Sequence, residues 1–421
     1  MTTLQDAYAQ LQIRHGASSR ATKPSEQLVV QLVDLLLDFA LTMRAGDIHL
    51  EPTRQTVRVR YRIDGLLHEQ LSLPKEVGDL VIRSIKVRAE MATEMVGRSK
   101  PQDGRINFQA HGATLDIRLS SFPTLYGDVL ALRVLDHTAV RLKLEELGLV
   151  PELLHSFEQL LRRPNGLVLV TGPANSGKPT TLYSALERLV SPHVKIMTLE
   201  DPVEYQMENI SQAQISPQSG LTFASGLRAI LRQDANVILV GEIRDRETAE
   251  ISTRAALTGH LVLATLHTRH SCGAVIRLTD MGIEPHLMVA STSGILAQRL
   301  VRRVCPACAI HDEMASKVFA RLWHHETGAQ APEADPGGFR RGKGCDACNG
   351  TGYQGRLGLF ELLMLTDPLK RLILDRSTGS LYRAAVEHGM RSMLLDGLLK
   401  ASKGQTTVEE VMRVTGETEA F

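Results

Sequence analysis

Gly166-Leu-Val-Leu-Val-Thr-Gly172-Pro-Ala-Asn-Ser-Gly177-Lys178-Pro179-Thr180-Thr181 sets the fold of the larger part of this chain. An apolar run of strand length leads into a glycine-rich turn, and a helical pattern, Thr180 to Val190, follows. Strand, G-x-x-x-x-G-K and helix in that order are the context of a phosphate-binding loop. Successive backbone N–H groups wrap an anion, and the helix start adds partial positive charge. The glycines admit the phosphates close to the backbone, and Lys178 lies on the terminal ones. The following position should offer a Ser or Thr hydroxyl to Mg²⁺. It is Pro179, which has neither hydroxyl nor N–H. Proline is acceptable in a first helical turn, so the fold should survive while Mg-ATP binding weakens or turnover slows. One charge-assisted hydrogen bond is worth about 1.5–3 kcal/mol. Thr180 and Thr181 are the nearest hydroxyls that could substitute.

Working outward, Lys195–Leu199, Val237–Val240 and Leu261–Leu266 are further short apolar runs separated by helical patterns. That alternation predicts an α/β fold with a parallel sheet covered on both faces. Three of its strand ends carry chemistry. Glu242 follows Val237–Val240, where a carboxylate beside the phosphate loop can orient water as a general base. Gly241 stands where a metal-binding acid often precedes that base, so Glu200, Asp201 and Glu204 are the acids left to serve a metal; a turn held by Asp201-Pro202 explains them equally. His267 ends Leu261–Leu266 and either contacts the γ-phosphate or is a structural hydrogen-bond partner.

Residues 1–24 have no clear period and read as a loose arm. Ser25 caps a helix to about Met43. Thr56–Tyr61 (T-V-R-V-R-Y) is a clean strand alternation, and residues 25–140 read as an α+β domain followed by a linker near Thr138–Gly148. Arg105 and Arg118 are either solvated strand-face charges or arginines that stabilise a transferring phosphoryl group. After Gly355 the chain reads as helical to its end.

The 421 residues are 43% hydrophobic and 23% charged, which excludes a disordered, collagen-like or coiled-coil chain. Forty-eight basic against 47 acidic residues give a net charge of +1, and aromatics are 4%. Neither a global cationic field nor stacking platforms are available, so no nucleic-acid partner is expected. The N-terminus lacks an apolar signal core, and Leu28–Met43 is too short and too charged for a membrane span; a cytoplasmic protein is expected. Cys305-Pro-Ala-Cys308 and Cys345-Asp-Ala-Cys348 are two C-x-x-C turns set in a basic surround. Four thiolates suit one structural, tetrahedral Zn²⁺; a thiol redox pair is the alternative. Residues 309–344 make a longer separation than a usual zinc ribbon.

Together with SKPQDGRI, TLEDPVEYQ, GLTFASGLRAILRQDANVILVGEIRDRETAE, TGHLVLATLHT and CDACNGTGYQGRLGLFELL, these residues resemble the type II/type IV secretion ATPase superfamily. The likeness is to the type II secretion ATPase, or general secretion pathway protein E, family over about residues 27–417. The resemblance implies a RecA-like P-loop ATPase core, an N-terminal PAS-like α+β domain and a zinc-binding insertion. It divides the chain into an arm (1–26), the PAS-like domain (27–138), a linker (139–150), the core (151–300), a tetracysteine subdomain (301–356) and a helical C-terminal subdomain (357–421).

It also implies a homo-hexamer, peripherally attached to inner-membrane secretion platform proteins, that hydrolyses ATP to drive pseudopilus assembly and protein export. Gly172, Pro173, Ala174, Asn175, Ser176, Gly177, Lys178, Pro179, Thr180 and Thr181 match its nucleotide-binding loop. Glu242 matches its Walker B acid, Glu200 and Glu204 its Asp box, His267 its His box, and Arg105 and Arg118 its nucleotide-approaching arginines. ATP, Mg²⁺ and structural Zn²⁺ are the implied cofactors. The chain departs from the family at Asn175 (usually Gly), Pro179 and Ala235-Asn236 (usually Pro-Asp), and no counterpart of the extra platform-binding N-terminal domain is expected. A pilus assembly ATPase and a hydrolysis-poor regulatory paralogue are the alternatives.

Overall fold

The computed structural model describes residues 4–14, 25–93, 100–110, 113–135, 142–332 and 338–416. Its contacts divide it into two compact units, residues 1–140 and 141–421.

In the first unit, α1 (Leu4–Arg14) and α2 (Glu26–Thr42) precede the strands β1 (Ala45–Pro52), β2 (Thr56–Ile63) and β3 (Leu66–Pro74). Then follow α3 (Lys75–Arg88), β4 (Gln102–Ala110), β5 (Ala113–Thr124) and β6 (Gly127–Leu135). The Ser25 hydroxyl accepts the Leu28 N–H and starts α2. Leu28, Leu32, Leu36, Val29, Val33 and Leu37 then recur at helical spacing and are buried. In β2 the alternation is literal: Val57, Val59 and Tyr61 are fully buried, while Arg58 and Arg60 turn outward to Glu51. The Tyr61 hydroxyl donates to the Leu36 carbonyl, tying sheet to helix. The sheet is antiparallel throughout, in the order β3-β2-β1-β6-β5-β4. The expected loose arm is corrected here: residues 4–14 are helical, and Leu4 and Tyr8 are buried in this core.

The second unit begins with α4 (Pro151–Leu161), β7 (Gly166–Thr171), α5 (Lys178–Leu189), β8 (Ile196–Glu200) and β9 (Ser211–Gln214). It continues with α6 (Phe223–Ile230), β10 (Val237–Val240), α7 (Arg246–Leu257), β11 (Leu261–Leu266), α8 (Ser271–Asp280), α9 (Pro285–Ser291) and β12 (Thr292–Val304). Its last part holds β13 (Ala309–His311), α10 (Ala315–Thr327), β14 (Arg340–Gly342), β15 (Tyr353–Met364), α11 (Asp367–Leu374), α12 (Leu381–Glu387), α13 (Met393–Ser402) and α14 (Val408–Thr415). Seven strands form one sheet in the order β15-β12-β7-β11-β10-β8-β9. All neighbours are parallel except β15, which pairs antiparallel with β12. Every residue of β7, β10 and β11 is buried, as a sheet covered on both faces requires.

One expectation fails in this unit. The tail after Gly355 is not helical throughout, because β15 runs to Met364 and closes the sheet edge on β12. The polar stretch between the cysteine pairs carries α10, whose Phe319 and Leu322 pack with Phe339, Leu394 and Leu398. Of the expected linker, residues 136–141 lie outside the described ones, and Leu144 and Leu147 are buried in the second unit's core.

Candidate functional site

Parallel pairing brings four strand ends side by side. Thr171 of β7 pairs with Leu266 of β11, and Val240 of β10 lies between Ala264 and Leu199. Gly172, His267, Glu242 and Glu200 therefore follow one another along the carboxyl edge, where open parallel sheets bind ligands.

The loop between β7 and α5 is tightly made. A Cβ on Gly172 would fall 2.4 Å from the Gln298 carbonyl oxygen, and Gly177 has φ +85° as the N-cap of α5. Asn175 has φ +61°, a left-handed conformation that Asn tolerates better than most side chains. This accounts for a residue other than glycine at that position. From β12, the buried Gln298 Nε2 donates to the Ser176 carbonyl at 2.7 Å. Lys178 is buried, its Nζ donating to the Gly172 and Pro173 carbonyls at 2.9 Å each. Burial pulls its pKa down to about 8, against the pull of the Glu242 charge. Pro179 is the second residue of α5, as first-turn sterics allow. Thr180 is exposed, whereas Thr181 is buried and only Thr180 can face solvent.

Glu242 is the hub. Its Oε1 lies 3.1 Å from His267 Nε2, and its Oε2 accepts from Arg244 Nε at 2.8 Å. Arg244 Nη1 reaches on to Asp201 Oδ2 at 3.1 Å. The backbone on either side is pinned to β11: Thr265 donates its hydroxyl to the Gly241 carbonyl and accepts, at its own carbonyl, the Ile243 N–H. A Cβ at 241 would meet the Leu199 carbonyl at 3.0 Å and the Glu200 Cα at 3.2 Å, a tight fit that the missing side chain of Gly241 relieves. The His267 pKa is lowered by burial first and then by the Lys178 charge, against Glu242; the imidazole is biased to its neutral form.

Glu200 is turned into the protein. Its carboxylate accepts from the Tyr183 hydroxyl, from Thr198 at 2.5 Å and from Gln212 at 3.1 Å, and it is buried. The same Tyr183 oxygen accepts the Glu204 N–H at 3.1 Å, so Glu200 holds the Glu204 turn in place. Arg105 and Arg118 lie in the first unit as a cross-strand pair of β4 and β5, and Arg105 bonds Asp116 at 3.0 Å. Arg244, Gln298 and Tyr183 were not expected as site residues. Only Gln298 left a trace, as a polar residue inside the apolar run of β12.

The four cysteines converge although Cys308 and Cys345 flank an entire helix. Their sulfurs all lie within 4.8 Å of one another, with Cys305–Cys345 at 3.9 Å and both Cys308–Cys348 and Cys345–Cys348 at 3.8 Å. Thiolates about 2.3 Å from a tetrahedral zinc have sulfur–sulfur edges of about 3.8 Å, so the set fits that ion. The Cys345 and Gly352 N–H groups donate to Cys348 Sγ at 3.2 Å each. Such N–H···S bonds orient thiolate ligands.

The profile of the family described as Type II/IV secretion system protein matches residues 22–413. The chain is 45% identical over 388 residues to Type II secretion system protein HxcR of Pseudomonas aeruginosa, covering 92% of this chain and 77% of that protein. It is 43% identical over 389 residues to Type II secretion system ATPase E of Vibrio cholerae, covering 92% and 76%. Among solved structures, the X-ray structure of the Legionella pneumophila ATPase DotB superposes with a TM-score of 0.67 at 19% identity, covering 95% of this chain and 98% of that one. Among the described residues, no helix is long and apolar enough to cross a membrane.

Proposed function

The chain belongs to the type II/IV secretion system protein family, and from that premise we propose that it is the ATPase of a type II secretion system, hydrolysing ATP to drive pseudopilus assembly and protein export. The observation that carries this reading is the convergence of Lys178, Glu242 and His267 beside the loop 172–178. Loop amides and Lys178 hold the β- and γ-phosphates. Glu242 accepts a proton from a water whose oxygen attacks the γ-phosphorus, and the bond to the β-phosphate oxygen breaks. Neutral His267 fixes the Glu242 carboxylate and faces the γ-phosphate. By the family pattern, Arg105 and Arg118 are the arginines that respond to the γ-phosphate.

Mg²⁺ accompanies the nucleotide in such chemistry, and the residues fit it incompletely. Pro179 offers no hydroxyl, and Glu200 already accepts from three protein donors. Glu204 is left to serve the ion's waters, with Glu200 positioning its turn. The tetracysteine set holds a structural Zn²⁺ that ties the ends of residues 301–356 together. The remaining segments follow the family pattern in a PAS-like domain 27–138 and a RecA-like core 151–300, whose sheet β15 completes before the helices from Asp367 onward. A hexamer docked on inner-membrane platform proteins from the cytoplasmic side is the working assembly.

Pro179 favours a second reading, a subunit that binds ATP and turns it over poorly while assembling with an active paralogue. Steady-state phosphate release by the purified oligomer decides between them. Glu242→Gln should lower turnover on the order of 10²- to 10⁴-fold and leave ATP binding intact. Wild-type release no faster than Glu242→Gln selects the second reading; absence of ATP binding overturns both.

A further inference from the structure

Glu361, on β15, is a carboxylate that the chemistry above does not use. It is 1% exposed and accepts four hydrogen bonds. Its Oε1 takes the backbone N–H and the hydroxyl of Ser271, each at 2.7 Å. Its Oε2 takes the Tyr382 hydroxyl and the Met393 N–H, each at 3.3 Å. Ser271 is the first residue of α8 and Met393 the first of α13. Two helix starts therefore aim at one carboxylate, whose two oxygens are both acceptors, whereas a Gln amide would turn an N–H₂ toward one pair of these donors.

Ser271 ends a short segment that begins at His267, and each residue between them is tied. The Thr268 N–H donates to the Thr171 hydroxyl at 3.0 Å, at the end of β7. Arg299 Nη2 donates to the Arg269 carbonyl at 3.3 Å. The His270 ring accepts the Gly273 N–H at 3.1 Å and meets Tyr382 edge-on, with centroids 5.3 Å apart. His267 and Arg269 are its exposed members, and the His267 side chain, 46% exposed, is directed at Glu242. Of these tethers, Glu361 and its partner Tyr382 connect the segment to the helices that follow β15.

We propose that Glu361 is a positioning residue for His267: by clamping Ser271 and, through Tyr382, His270, it holds the 267–271 segment so that the imidazole stays against Glu242. The kinetic arm of its test rests on the ATPase reading above; the spectroscopic arm does not. Full-length protein is labelled with ¹³C at the histidine rings, and the His267 signal is assigned by its loss in His267→Gln. The charges facing that ring are Glu242, Lys178 and Arg244. In Glu361→Gln, the His267 signal should shift and its titration midpoint rise toward the ordinary histidine range, as the ring leaves its partly buried place beside Lys178. Turnover should fall on the order of 10²-fold, with KM for ATP little changed. Tyr382→Phe, which removes a single donor, should move the same signal less and in the same direction, and decides the matter should Glu361→Gln fail to fold. An unmoved His267 signal and midpoint in the folded variant overturn the proposal, as does a kinetic loss carried wholly by KM. If the wild type turns over no ATP, the ATPase reading falls while the histidine signal still decides the clamp.

Discussion

Replacing Pro179 by Thr isolates what the imino acid costs. In α5 the first N–H used inside the helix is that of Thr181, which donates to the Gly177 carbonyl at 3.2 Å. The N–H groups of 178 to 180 are the free donors of that first turn, and position 179 contributes none. Restoring one charge-assisted hydrogen bond to phosphate adds about 1.5–3 kcal/mol, or roughly 10- to 150-fold in affinity. The Thr hydroxyl adds a ligand for Mg²⁺ on top of that. Proline also stiffens the unfolded chain, so the same substitution should lower folding stability by about 0.4–1 kcal/mol. The two effects have opposite signs and are read separately, affinity by calorimetry with ATP and stability by thermal melting. Pro179→Ala divides the gain, because it returns the N–H without the hydroxyl. Its affinity should rise whether or not Mg²⁺ is present, whereas the further gain of Pro179→Thr should require the ion. If both variants bind ATP as the wild type does, the backbone at 179 does not face phosphate and the account of the loop is wrong.

The other expectations are simpler. Removing the metal with a chelator, or substituting Cys348→Ser, should lower bound zinc, measured by elemental analysis, from one ion per chain and depress the melting temperature; unchanged melting would show that the cluster pins nothing. Asp396→Ala strands the buried Lys400, whose Nζ bonds Asp396 at 2.5 Å and the Gly358 carbonyl at 2.7 Å, and should cost about 3–5 kcal/mol in urea unfolding. Glu410 is buried, and although burial alone would raise its pKa, its bonds to Arg413 and Arg302 hold it at about 2. A lowered folded-state value stabilises above the unfolded value and is lost on acidification. Unfolding followed between about pH 4.5 and pH 2 should therefore show a loss that Glu410→Gln lacks.

What could be read from the residue pattern was whatever local spacing encodes. The start of α2 was legible because Ser25 caps it and its leucines recur at helical intervals, and β2 because its valines and arginines alternate. The parallel strands were legible as apolar runs between helices. β15 was not: Leu357 to Met364 is apolar enough for either period, and only its pairing with β12, whose Gly294 meets Met364, makes it a strand. β9 is four residues, Ser-Gln-Ala-Gln, with no apolar signal of its own, and exists because β8 offers it an open edge. α1 owes its order to Leu4 and Tyr8 entering a core assembled by residues far along the chain.

The candidate site divides in the same way. Lys178, Glu242 and His267 were legible because each follows an apolar strand and the sheet does the rest. The groups that hold them were not, since their partners lie at long range: Gln298 acts on Ser176 across 122 positions, and Glu361 on Ser271 across 90. Glu200 marks the boundary between the two cases. Its position at the end of β8 was plain, but the direction of its carboxylate depends on Tyr183, one helix earlier, whose hydroxyl captures it. Motif residues thus announce the chemistry, while the orientation that makes an acid a base, a ligand or a strut is decided by a polar side chain elsewhere in the chain. That division is why Glu242, bonded to His267 and Arg244 at the mouth of the loop, is assigned the proton, and Glu200, with three donors behind it, is not.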